Sequence, residues 1–264
     1  MSNLLDRDRQ MSILIVNVVD NGIIFAADRA ITLGSKQVAN KPKVLFSPNK
    51  RAIVGYCGLA EIEGQDMDKW LNHFLLSNED FVSLKELSME LKFHIDKQIR
   101  SDFGDGNPEG LIIHVGGYER REEHIVPFVW YIRNVHGIDK RTGEYTNFDK
   151  DFTCSEEFWK YFPNIGAKDI RNYLKAMAGE IEPFWFHQAL GLIRFNVFSK
   201  FLKEAFKLLH QFLPDEIPST LSDWEKLAKM QVLMYGAYFE AFHKEGERYV
   251  GGGCDVVSLP WPSD

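Results

Sequence analysis

Cysteine is scarce in this 264-residue chain: Cys57, Cys154 and Cys254 are odd in number, far apart, and never form a CxxC pair. That pattern argues against both a disulfide framework and a thiolate zinc site. Long apolar runs are missing too. No stretch approaches the ~20 residues that a membrane span needs, and the segment from Met1 to Met11 is too charged for the apolar core of a signal peptide. Basic charge is in deficit, with 31 Lys and Arg against 38 Asp and Glu, for a formal net charge of -7. An acidic excess favours solubility and argues against a nucleic-acid or anionic-membrane partner. The chain has no GxGxxG after a strand, no GxxxxGK[ST] loop and no HExxH, so neither a cofactor nor a metal is expected. Internal repeats and low-complexity stretches are lacking as well. A reducing cytoplasm is the expected location.

What is present is an ordinary globular composition, 45% hydrophobic, long enough for one large domain with a sizeable core. The first third reads as strands. Ser12 to Val19 is rich in β-branched residues, Asp20-Asn21-Gly22 is a strong hairpin signal, and Ile23 to Ala27 returns as a second strand ending at Asp28. Lys43 to Phe46 and Arg51 to Cys57 form another strand pair around Ser47-Pro48-Asn49-Lys50. From Ala60 to Leu76 the period becomes helical. Ser83, with Glu86 three residues on, then predicts a capped helix with Leu84, Leu87, Leu91, Ile95 and Ile99 on one face. Leu111 to Val115 and Val126 to Val135 read as strands. A short helix is expected over Lys168 to Ala178, and longer ones over Phe184 to Phe212 and Leu221 to His243. Cys254 to Leu259 closes the chain as a strand. Strands followed by helices point to an α+β fold of antiparallel sheets rather than a parallel βαβ array.

One constellation carries chemistry. A strand starts at the hydroxyl residue Ser12, and the next ends in Phe25-Ala26-Ala27-Asp28-Arg29-Ala30, followed by Thr32-Leu33-Gly34. Lys43 opens a later strand, and Gly55-Tyr56-Cys57-Gly58-Leu59-Ala60-Glu61 runs toward a helix. This stretch, about 50 residues long, resembles the N-terminal part of proteasome β-subunits and their bacterial ring-forming relatives, within the N-terminal-nucleophile (Ntn) hydrolases. Asp28 follows Ser12 by sixteen residues, as in that family, and Lys43 follows Asp28 by fifteen, one fewer than usual there.

The resemblance implies a four-layer α/β/β/α sandwich of two antiparallel sheets flanked by helices. It implies residues 1–11 as a propeptide or N-terminal extension and residues 12–264 as a single proteasome-like domain with an enlarged helical segment around 168–243. It also implies hydrolysis of a peptide or small amide substrate and assembly into a homo-oligomer. The catalytic set carried over is Ser12, Asp28, Lys43 and Gly58. Ser12 is the nucleophile, and its freed α-amine is the base, because an α-amine titrates near pH ~8. Lys43 lowers proton affinity around the hydroxyl, Asp28 keeps the lysine charged and oriented, and the Gly58 N–H stabilises the oxyanion.

Three departures from the family pattern bear on activity. Met11 stands where family precursors usually carry glycine. Serine replaces the usual threonine and lacks the methyl that restricts its rotamer. Glu247-Arg248-Tyr249-Val250-Gly251-Gly252-Gly253 lacks the serine that supports the amine in the family, and its aspartate has no more than Glu247 as a candidate stand-in. A non-catalytic, scaffold-type relative is therefore the alternative expectation. Each residue also has a plain structural reading: Ser12 as the start of a strand, Asp28 as a turn cap, Lys43 as a solvated strand residue, Gly58 as a helix-entry glycine. Cys57, ending an apolar strand, reads as core. His73, His94, His187, His210 and His243 fall at expected helical positions without metal-ligand spacing.

Overall fold

A computed structural model describes residues 12–33, 36–104, 106, 108–138, 145–180, 184–189, 218–242 and 250–262, with isolated positions 204, 208 and 211. The strands are β1 Ile13–Val19, β2 Gly22–Asp28, β3 Ala30–Leu33, β4 Lys36–Asn40, β5 Val44–Phe46, β6 Ala52–Gly58, β7 Glu61–Ile62, β8 Gln65–Asp66, β9 Leu111–Arg121, β10 His124–Ile138, β11 Tyr145–Glu156, β12 Phe184–Ala189 and β13 Cys254–Pro260. The helices are α1 Met67–Ser77, α2 Leu84–Phe103, α3 Phe158–Tyr161, α4 Ile170–Glu180 and α5 Leu221–Phe242.

β1 and β2 are runs of Ile, Val and Ala buried along their whole length. They form a hairpin whose register closes at Val19 opposite Gly22, leaving Asp20 and Asn21 as the turn. Gly22 is needed for close approach: a Cβ there would sit 2.5 Å from the Leu259 carbonyl oxygen of the neighbouring strand. One antiparallel sheet has the order β12-β1-β2-β13, and a larger one β11-β10-β9-β6-β5.

Strand alternation sorts the core. Leu14, Val16, Val18, Ile23 and Phe25 share a cluster with Ile53, Cys57, Ile112 and Val129 of the five-stranded sheet. Ile13, Ile15, Ile24 and Ala26 point the other way and pack with Trp224, Ala228, Val232 and Tyr235 of α5. On the outside of the five-stranded sheet lie α1 and α2, whose Leu84, Leu87, Leu91, Ile95 and Ile99 join Val54, Tyr56, Ile113 and Val115. The expected cap is present, since Ser83 Oγ accepts from Glu86 N at 3.1 Å. The Glu86 carboxylate, however, accepts from Val82 N rather than from the cap residue's own N–H.

Two expectations are corrected. The chain is a mixed α+β fold whose largest unit is the five-stranded antiparallel sheet. Its helices are few, so a four-layer α/β/β/α Ntn sandwich is not what the described residues form. The helix expected over Phe184 to Phe212 opens instead as strand β12, paired with β1 from Ile13 opposite Ala189 to Val18 opposite Phe184. Phe184-Trp185-Phe186 has high strand propensity, and pairing along β1 outweighs a helical reading of the same aromatics. The rest of that segment lies largely outside the described residues. Among the described residues no helix is long and apolar enough to cross a membrane.

Candidate functional site

The β1–β2 register sets the site. Leu14 stands opposite Ala27, so the start of β1 lies beside the end of β2, and Asp28 comes level with Ile13. Asp28 Oδ1 accepts from Ile13 N at 2.8 Å, and Asp28 Oδ2 accepts from Ala30 N at 3.2 Å. Lys43, immediately before β5, enters the same space. Its Nζ donates to Ser12 Oγ at 2.8 Å, to Asp28 Oδ1 at 3.0 Å and to the Ala30 carbonyl at 2.6 Å. An ammonium has three hydrogens, and three acceptors surround this one. Ser12 is 3% exposed, Lys43 1% and Asp28 0%. Taking a lysine and an aspartate out of water is costly, and the added hydrogen bonds are what make such a buried pair tolerable. Burial pushes the Asp28 carboxyl above its ordinary range. The Lys43 charge and the N–H groups of Ile13 and Gly251 oppose that rise.

Gly58 ends β6 with φ of 105°, a conformation that glycine adopts without a Cβ penalty. Its N–H direction follows from strand parity. Tyr56 N donates to the Lys43 carbonyl on the β5 side, and Leu59 N donates to the Gly110 carbonyl on the β9 side. The Gly58 N–H, two residues on from Tyr56, therefore points to the β5 side, beyond the first residue of that strand. This is the end of the sheet where Lys43 meets Ser12.

A loop from the far end of the sequence closes over Asp28. Gly251 N approaches Asp28 Oδ2 at 3.4 Å, and the Gly251 carbonyl accepts from Arg29 N at 3.1 Å and Ala30 N at 2.9 Å. Gly252 (φ 71°) is seated where a Cβ would lie 2.0 Å from Asn40 Oδ1. The loop thus ties the β3–β4 hairpin to the end of β2.

Three of the four residues singled out from the sequence are hydrogen-bonded to one another, and the fourth borders the same sheet end. The solvated reading of Lys43 is wrong, since it is buried. Cys57 is core, its thiol pushed up to about 12 by burial, so it is no thiolate nucleophile. His73 and His94 are exposed on α1 and α2, and His187 lies on strand β12 rather than on a helix. His210, His243 and Glu247 lie outside the described residues. Among the described residues no group of three His, Cys, Asp or Glu side chains could hold a metal ion. Sequence reading missed the backbone partners Ile13, Ala30 and Gly251. The signal for the last was the Gly251-Gly252-Gly253 run, since three adjacent glycines mark backbone that other residues cannot follow. It also missed His114, buried and stacked on Tyr131 with ring centroids 4.7 Å apart.

The chain matches no protein-family model and no curated protein.

Proposed function

We propose that this chain is an amide- or peptide-bond hydrolase, similar to proteasome β-subunits, whose nucleophile is the Ser12 hydroxyl. One observation carries the reading: a buried lysine donates at once to a serine hydroxyl and to a buried aspartate. A cation 2.8 Å from Ser12 Oγ favours the developing alkoxide. Lys43 already donates to three acceptors, so the proton of the hydroxyl goes elsewhere. The α-amine of Ser12, once freed, is the base closest in the chain.

Self-processing uses the same nucleophile without the amine base. Ser12 Oγ attacks the Met11 carbonyl carbon, the hydroxyl proton passes to the departing Ser12 nitrogen, the Met11–Ser12 C–N bond breaks, and an ester forms on Oγ. Water hydrolyses that ester, leaving a carboxyl on Met11 and an amine on Ser12. In turnover, Oγ attacks the substrate carbonyl, the amine carries the proton to the leaving nitrogen, and water resolves the acyl-enzyme. The Gly58 N–H faces the developing oxyanion. A reducing cytoplasm suits the three free thiols, and assembly into a homo-oligomer belongs to the same reading.

A second reading has its own observation. With Met11 still attached, Ser12 has no free amine and is 3% exposed, and the stretch from Glu247 to Gly253 lacks the family's supporting serine. The Ser12–Lys43–Asp28 group is then a structural ion pair at the heart of a non-catalytic scaffold. Intact mass and N-terminal sequencing of protein from its native host separate the two. A chain starting at Ser12, with processing and hydrolysis lost in Ser12→Ala, is the expected result. A chain starting at Met1 or Ser2, with amide hydrolysis unchanged in Ser12→Ala, overturns the hydrolase reading.

A further inference from the structure

The outward face of α2 has an order that its buried face does not require. Leu84, Leu87, Leu91, Ile95 and Ile99 turn inward. At 100° per residue, Glu86, Met89, Glu90, Phe93, Lys97 and Arg100 fall within one stripe about 100° wide on the opposite side. Phe93 is 61% exposed, Met89 46% and Val82, just ahead of the helix, 80%. Glu86, Glu90, Lys97 and Arg100 are exposed as well. Along the axis the stripe runs from acidic (Glu86, Glu90) through apolar (Met89, Phe93) to basic (Lys97, Arg100).

Such a sequence of charges is complementary to itself when reversed. Two copies of the helix laid antiparallel about a two-fold axis through Phe93 bring Phe93 against Phe93. Glu90 then meets Lys97 of the second copy, a pair that occurs twice, while Glu86 comes level with Arg100, which Asp151 of its own chain already engages. A two-fold interface needs this kind of self-complementarity, and a parallel pairing would set like charges together. We propose that the outer face of α2 is the contact surface between two copies of this chain, paired antiparallel. The proposal does not depend on the hydrolase reading.

Twenty residues give a contact about 30 Å long. A stable interface buries roughly 800 Å² per partner, more than one helix face supplies, so the dimer is concentration-dependent. Its charged pairs lie at the rim and are weakened by salt.

The test is sedimentation equilibrium of the full chain over a wide range of concentration, at low and high salt. Phe93→Asp and Lys97→Glu should each weaken self-association at least tenfold. Glu90→Lys should do the same, and Glu90→Lys with Lys97→Glu in one chain should restore it, because the swapped charges again oppose each other. All these positions are exposed, and circular dichroism checks that each variant keeps its fold. The proposal is overturned by a chain that stays monomeric throughout. It is also overturned by association that Phe93→Asp leaves unchanged, or by a charge-swapped double variant no better than its parent singles.

Discussion

Asp28 and Gly251 are 223 positions apart in the chain, yet the Gly251 N–H points at Asp28 Oδ2 from 3.4 Å. The same carboxylate is held by Ile13 N, Ala30 N and Lys43 Nζ. One buried side chain therefore joins the start of β1, the end of β2, the residue before β5 and the loop before β13. Changes at any of the four should be felt at the others.

Lys43→Met should leave Asp28 buried without its cation and cost about 3–5 kcal/mol. Urea unfolding measures this. Losing Lys43 moves the carboxyl further up, and a carboxyl raised in the folded state loses stability as pH rises through its folded value. The penalty should thus be larger at pH 7 than at pH 4. Asp28→Asn combined with Lys43→Met should cost less than the two singles added together.

Gly252→Ala should destabilise by about 2 kcal/mol or more. Its Cβ meets Asn40 Oδ1, and its φ of 71° strains any L residue. Adding Asn40→Gly should recover the steric part and leave about 1 kcal/mol of backbone strain. Thermal melts of the single and double variants check the difference.

His114 gives a pH signature. Burial lowers its pKa to about 3, so folding favours the neutral ring. The stability this contributes is present above the ordinary value of 6.5 and is lost as pH falls toward the folded one. Unfolding free energy should fall by up to about 1.4 kcal/mol per pH unit between those limits. His114→Leu should flatten that slope, whatever its effect on absolute stability.

Ser83→Ala removes the oxygen that accepts from Glu86 N and should cost about 1 kcal/mol. Glu86→Gln should cost less, because Gln can still accept from Val82 N. Chemical denaturation of both variants ranks them.

The β1–β2 hairpin, α2 and β13 were legible because each is a single run closed by a local signal: a turn, a cap or a glycine series. α5 was legible as a run, but its cap, Thr220, which accepts from Asp223 N, was not read. Asp28 and Lys43 were legible as candidates from their spacing to Ser12. Their burial was not, since a lone lysine before a strand usually stays in water. β3, β4 and β11 went unread for lack of alternating apolar residues. Strand β12 was mistaken for helix because its pairing with β1 is non-local, and no window around Phe184 contains the partner. The sandwich expected from the resemblance failed for a related reason: local sequence does not reveal how many helices cover a sheet.

Because β1 is buried on both faces and tied through a two-residue turn, its length acts as a ruler. Deleting one residue between Ser12 and Gly22 would slide the strand start by about 3.3 Å and turn every side chain to the opposite face. Ser12 would then leave the reach of Lys43 while Asp28 stayed in place. Evolutionary drift in this segment should therefore be confined to substitution. Insertions and deletions should be tolerated only outside the segment from Ser12 to Asp28, where no strand register fixes the hydroxyl against the carboxylate.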